Sequence, residues 1–143
     1  MLVAEESLGY SQSYLESARR HRDAADTLDS VKDRRDVAGY LYGIAAECAL
    51  KELMRRSGMR PLAESERRED PFYAHFPDLK TLLAAQVKGR HGGLLRKYAE
   101  DSAFMNEWDT DMRYAPRKDL PPHLVERWKM HARRVLADMD EAA

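Results

Sequence analysis

From Val37 to Met54 the chain reads VAGYLYGIAAECALKELM, apolar or small on almost every side of a helix. A helix with so little polar circumference is buried on most of it, and the remaining elements must pack around it. Its Glu47 and Lys51 stand one helical turn apart, in the order that favours attraction. Three placements suit such a pair: buried and mutually neutralised, facing a cleft, or on a solvent-facing edge. Gly39 and Gly43, with Ala45, Ala46 and Ala49, leave the surface of the helix nearly bare. Glycine costs about 1 kcal/mol inside a helix, so two of them predict close approach by neighbouring elements.

The segments on either side follow the same period. Leu8, Tyr14, Leu15, Ala18, Ala25 and Leu28 recur at three- and four-residue steps, which predicts an amphipathic helix from Glu5 to Leu28 ending at Asp29-Ser30. His21 falls on its apolar stripe and reads as a satisfied histidine at the core edge. Asp33 or Asp36 is placed to cap the second helix, predicted from about Arg34 to Arg56 and ended by Gly58. Residues 59–73, with Pro61 and Pro71, read as an exposed loop. A third helix starts near Asp78 and is broken by the glycines of residues 89–93. A fourth runs from Leu94 to about Ala103, and a short one carries Trp108 and Met112. Three prolines make residues 114–122 irregular, and Pro122 suits the first turn of a last helix. Its seam is Leu124, Val125, Trp128, Ala132, Val135, Leu136 and Met139. No alternating run is long enough for a sheet. The expectation is an all-α chain, one domain over residues 1–143.

The totals bound function loosely. A net charge of -1 argues against a generic electrostatic grip on nucleic acid. Yet 17 of the 24 cations are arginine, whose planar fork suits phosphates and carboxylates, although codon usage also enriches arginine. No apolar run reaches the length of a membrane span, and the N-terminus lacks the basic start and apolar core of a signal peptide. The lone Cys48 sits in the apolar helix without a base nearby. Cytoplasm is the expected compartment. His123 and His131 are two turns apart and His21, His75 and His91 lie in separate segments, so neither a metal nor a cofactor is expected. His75 reads as a loop or capping residue.

The patch richest in chemistry is WDTDMRYAPRKDLPPH, residues 108–123. Arg113 and Arg117 flank Tyr114 and Pro116, and His123 follows. A guanidinium, a ring and an imidazole on an irregular connection suit a phosphate and a stacked base. The plainer reading pairs Arg113 with Asp109 or Glu47 and lets Tyr114 close the end of the bundle.

VAGYLYGIAAECALKELM after an amphipathic first helix, then HFPDL, then WDTDMRYAP before a last helix, resembles the HEPN family. Its members are small antiparallel bundles of four or five helices, often found in prokaryotic toxin–antitoxin, CRISPR-linked and other defence loci. Ribonuclease members are implied to work as dimers through an arginine followed, after four to six residues, by a histidine near the start of the last helix. Arg113 stands where that arginine would be, with Tyr114 in place of the usual polar neighbour. Arg117 and His123 have the right spacing, with Pro121 and Pro122 between them. The Arg113-Tyr114-Ala115-Pro116 run, with Asp109 before it, is closer to the non-catalytic HEPN partners of minimal nucleotidyltransferases.

The resemblance therefore implies a dimeric module that binds RNA or a nucleotide through Glu47, Lys51, Asp109, Arg113 and Tyr114, with a nucleotidyltransferase subunit as partner. One alternative is a metal-independent endoribonuclease using Arg113 or Arg117 with His123. The other is a dimerisation module without a ligand.

Overall fold

The computed structural model describes residues 11–87 and 92–142, and every regular element among them is helical. The fold is an all-α bundle. Helix α1 spans Tyr14–Asp29 and starts where Ser13, in extended backbone, accepts a hydrogen bond from the Glu16 amide at 3.2 Å. The start expected at Glu5 is thus corrected: residues 11–13 are not helical, because the serine caps the first turn. Residues 1–10, with Leu8, and residues 89–91 of the break expected at 89–93, with His91, lie outside the described residues. His21 Nδ1 sits 2.8 Å from the Ser17 carbonyl at the core edge.

A 3-10 turn, Lys32–Arg34, leads into helix α2, Arg35–Arg56. Neither aspartate caps it. Asp33 pairs with Arg117 at 3.4 Å, and Asp36 Oδ1 is buried without a hydrogen-bond partner. The reason lies in the entry: the turn delivers Arg34, with φ -128° and ψ 10°, to the capping position. Helix α2 is buried on most of its circumference and packs against α1 on one side and α5, Pro122–Glu141, on the other. All seven expected seam residues of α5 are buried. The glycines act as the composition predicts. A Cβ on Gly39 would lie 3.1 Å from Trp128 and Val125, and one on Gly43 would lie 2.0 Å from the Trp108 indole.

Polar ties hold the three long helices in register. Asp29 at the end of α1 accepts from Arg35 of α2 at 3.0 Å and from Lys129 of α5 at 2.8 Å. Burial raises its pKa, but those two hydrogen bonds outweigh it and hold the carboxyl below its ordinary range. At the other end Glu52, buried in α2, binds Arg55 and Arg56, each at 2.8 Å. Arg56 also donates to the Met139 carbonyl of α5.

Helices α3, Asp78–Gln86, and α4, Gly93–Glu100, pack on each other beside this core. The connection before α3 departs from the exposed loop expected of residues 59–73. Glu64–Glu69 forms an exposed 3-10 turn, but Asp70 is buried and accepts from the Leu62 and Phe72 amides at 2.8 and 2.9 Å. These two bonds fold the connection inward and seat Phe72 on Tyr14. After α4, Met112 is carried by a 3-10 turn, Thr110–Tyr114, while Trp108 lies in the irregular stretch before it. No helix of the described residues is long and apolar enough to cross a membrane.

Candidate functional site

The bare surface at Gly43 sets the site. Trp108 lies flat in that slot and donates from Nε1 to the Gly39 carbonyl at 3.2 Å. Tyr40, one turn earlier on α2, stacks on the indole at 5.5 Å, and Phe76 meets it edge-on at 6.1 Å. Both connections, the one before α3 and the one before α5, are therefore anchored to the stripe Asp36, Tyr40, Gly43, Glu47 of α2.

Glu47 is 2% exposed and sits at the far end of this stripe. Its expected pairing with Lys51 is corrected by the structure. One oxygen accepts from the Phe76 amide at 2.7 Å, and the other lies 2.8 Å from Nδ1 of His75. The carboxylate is satisfied by the folded-back connection, which supplies a buried amide and an imidazole together. Lys51 is buried and forms no ion pair with any described residue. Burial lowers its pKa, against the opposing pull of Glu47.

His75, read from the sequence as a loop or capping residue, is therefore the functional candidate that sequence reasoning missed. Its side chain is more than half exposed, while Glu47 fixes Nδ1. With Nδ1–H donating to the carboxylate, Nε2 is the acceptor of the neutral ring. The Glu47 hydrogen bond raises the imidazole pKa, with burial and the charges of Lys51 and Arg113 opposing it. His75 lines a hollow of about 350 Å³ with Arg67, Arg68, Tyr73, Asp109 and Thr110. Arg67 lies over the Tyr73 ring at 4.4 Å.

On the other side of the Thr110–Tyr114 turn, Arg113 donates from Nε to the Thr110 carbonyl at 2.9 Å. Its guanidinium lies 5.8 Å from the centre of the Tyr40 ring and 5.3 Å from that of Tyr114. Tyr114 is 80% exposed, so it does not close the bundle end. Nor does Arg113 pair with Asp109 or Glu47. Asp109 is occupied in capping its own turn through the Asp111 amide at 2.9 Å. A second hollow, of about 190 Å³, opens here among Asp36, Val37, Tyr40, Arg113, Ala115 and Leu120.

The residues expected to bind a nucleotide therefore fall into two groups. Asp109, Arg113 and Tyr114 share the turn that separates the hollows, while Glu47 lies behind His75 and Lys51 lies buried one turn further along α2. No direct contact ties the ribonuclease candidates together. Arg117 pairs with Asp33, His123 is exposed at the start of α5, and no hydrogen bond or ion pair joins either to Arg113. Cys48 donates from Sγ to Ser17 Oγ at 3.3 Å, and burial pushes its thiol pKa up, which disfavours the nucleophilic thiolate. Among the described residues no three acidic, histidine or cysteine side chains are grouped to hold a metal ion. Compared with family models, with curated proteins and with solved structures, the chain matches none.

Proposed function

We propose that the chain is a HEPN-like helical module that binds single-stranded RNA or a nucleotide on the face carrying Tyr40, Arg113 and Tyr114. It would serve, as a homodimer, in a prokaryotic defence or toxin–antitoxin system with a nucleotidyltransferase as partner subunit. One observation carries the binding reading: a guanidinium close to two tyrosine rings, 5.8 Å from one and 5.3 Å from the other, the second 80% exposed. An aromatic ring beside a fixed cation is what a base and its phosphate recognise, and it needs no net basic charge. The HEPN assignment and its setting rest on the sequence resemblance.

The test is fluorescence anisotropy of a labelled single-stranded RNA at low salt, with the parent and with Tyr114→Ala and Arg113→Ala. Losing one stacking ring costs about 1–3 kcal/mol, or roughly 5- to 150-fold in affinity. Parent-like binding by both variants overturns the reading, and so does a parent that binds no RNA.

A second reading, metal-independent RNA cleavage, is favoured by the Glu47–His75 pair. A buried carboxylate that orients a raised-pKa imidazole is an arrangement suited to general-base chemistry near neutral pH. His75 Nε2 would take the proton of a 2′-hydroxyl whose oxygen attacks the adjacent phosphorus. The 5′-oxygen leaves and takes a proton from water, giving a cyclic phosphate and a 5′-hydroxyl. Incubation with total RNA and a chelator decides it. Cleavage lost in His75→Ala but kept in His123→Ala supports this reading, the reverse returns the role to His123, and no cleavage by the parent removes it.

A further inference from the structure

Asp36 is the one buried side-chain polar atom among the described residues left without a partner, and it borders the smaller hollow. An ionised carboxylate only accepts hydrogen bonds, and buried acceptors are rarely left unmet. None of the arginines nearby donates to that oxygen. Arg35 is bound to Asp29 and Glu126, Arg117 to Asp33, and Arg113 gives Nε to Thr110. Besides Asp36 and Arg113 the lining of the hollow is apolar or aromatic: Val37, which is 43% exposed, with Tyr40, Met112, Ala115 and Leu120. A flat ring with N–H groups on one edge fits walls of that kind around such a floor.

Resting on the RNA-binding reading above, we propose that this hollow takes a nucleobase and that Asp36 selects guanine. Guanine alone presents two adjacent donors, N1–H and the N2 amino group, to a carboxylate's two oxygens. Adenine and cytosine offer one amino group beside a ring nitrogen that repels the carboxylate, and uracil offers one N–H between two carbonyls. The Cβ–Cγ torsion of aspartate is soft, so a turn about it brings Oδ1 from the floor to the hollow. Tyr40 and the Arg113–Tyr114 pair supply the stacking face.

The experiment compares labelled single-stranded RNA heptamers of adenosine and cytidine that carry guanosine, adenosine, uridine or inosine at the centre. Guanosine is expected to bind about tenfold tighter than adenosine, within the range of a good two-bond base contact. Inosine, which keeps N1–H but lacks the amino group, falls between. Asp36→Asn presents one acceptor and one donor. It loses one of guanine's two hydrogen bonds and relieves the repulsion of adenine's ring nitrogen, so guanosine comes to within about twofold of adenosine, with the melting temperature as in the parent. Equal binding of guanosine and adenosine, with Tyr114→Ala still weakening both, overturns the guanine site and leaves the RNA reading standing. A preference that survives Asp36→Asn assigns it to Arg113 on guanine's other edge and also overturns it. If no heptamer binds the parent, both readings fall.

Discussion

Glu47→Ala should be among the costliest single changes to this chain, and the structure apportions the loss. The Phe76 amide is buried and gives its only hydrogen bond to Glu47 at 2.7 Å, so removing the acceptor strands a donor, at about 1–3 kcal/mol. Loss of a buried methylene adds about 0.8 kcal/mol. The bond to His75, whose ring is more than half exposed, contributes at most about 1 kcal/mol after screening. The total is about 2–5 kcal/mol, or roughly 6–20 °C in Tm for a chain of this size. Glu47→Gln keeps an acceptor for Phe76 and should lose about half as much, and His75→Ala less than about 1 kcal/mol. Urea melts measure the three, and an NMR titration follows the imidazole. Since burial, Lys51 and Arg113 all lower the His75 pKa and Glu47 raises it, Glu47→Gln should lower it. A raised folded pKa gives stability that is full below 6.5 and lost as pH rises through the folded value, so Glu47→Gln should lose more at pH 6 than at pH 8.5. If His75→Ala costs as much as Glu47→Ala, or the imidazole titrates unchanged in Glu47→Gln, the carboxylate is not the link described.

Two further outcomes follow from the packing. Gly43→Ala places a methyl 2.0 Å from the Trp108 indole, so the ring must leave its slot at about 1–3 kcal/mol or more, whereas Gly93→Ala meets no atom within 4 Å and should be neutral or slightly stabilising. Thermal melts of the two that coincide would refute the close approach. His131 accepts from the Met105 amide at 3.0 Å, and burial lowers its pKa. Its contribution is full above 6.5 and is lost as pH falls through the folded value, so His131→Leu should be less stable at pH 7.5 and show a flatter decline between pH 7 and 5.

What could be read from the sequence is what repeats with the period of a helix. The burial of α2, the role of its two glycines, the α5 seam and the Pro122 start all follow from side chains meeting neighbours at regular spacing. The caps and connections do not repeat. Whether Asp36 or Asp33 caps α2 depends on the 3-10 turn before it, which no periodicity announces. The burial of Asp70 depends on the Leu62 and Phe72 amides, which only the folded connection brings to it. His75 reaches Glu47 only because Phe76 packs on Trp108 and carries its own amide to the same carboxylate. The nearest signal was Glu47 itself: a carboxylate in an apolar helix needs donors, and the HFPDL block held them, but the i,i+4 lysine was the closer partner in sequence.

The face of α2 that borders the smaller hollow through Asp36 and Tyr40 also seats Trp108, and this couples binding to the core. Asp36 and Glu47 are about 16 Å apart along the helix axis. The Thr110–Tyr114 turn lies between the hollow Asp36 borders and the one lined by His75, whose ring Glu47 holds, with Trp108 as its root. On the proposed reading, a ligand touching both ends is a strand of RNA, not a lone nucleotide, and a free nucleotide should occupy one hollow only. Displacing the indole moves Arg113 and Tyr114 relative to Tyr40, which α2 holds fixed. Gly43→Ala should therefore weaken heptamer binding at temperatures where the chain remains folded. A destabilised Gly43→Ala protein that binds the heptamer with full affinity would show that the stacking face is built without the tryptophan, and the coupling argued from the Gly43 slot would be wrong.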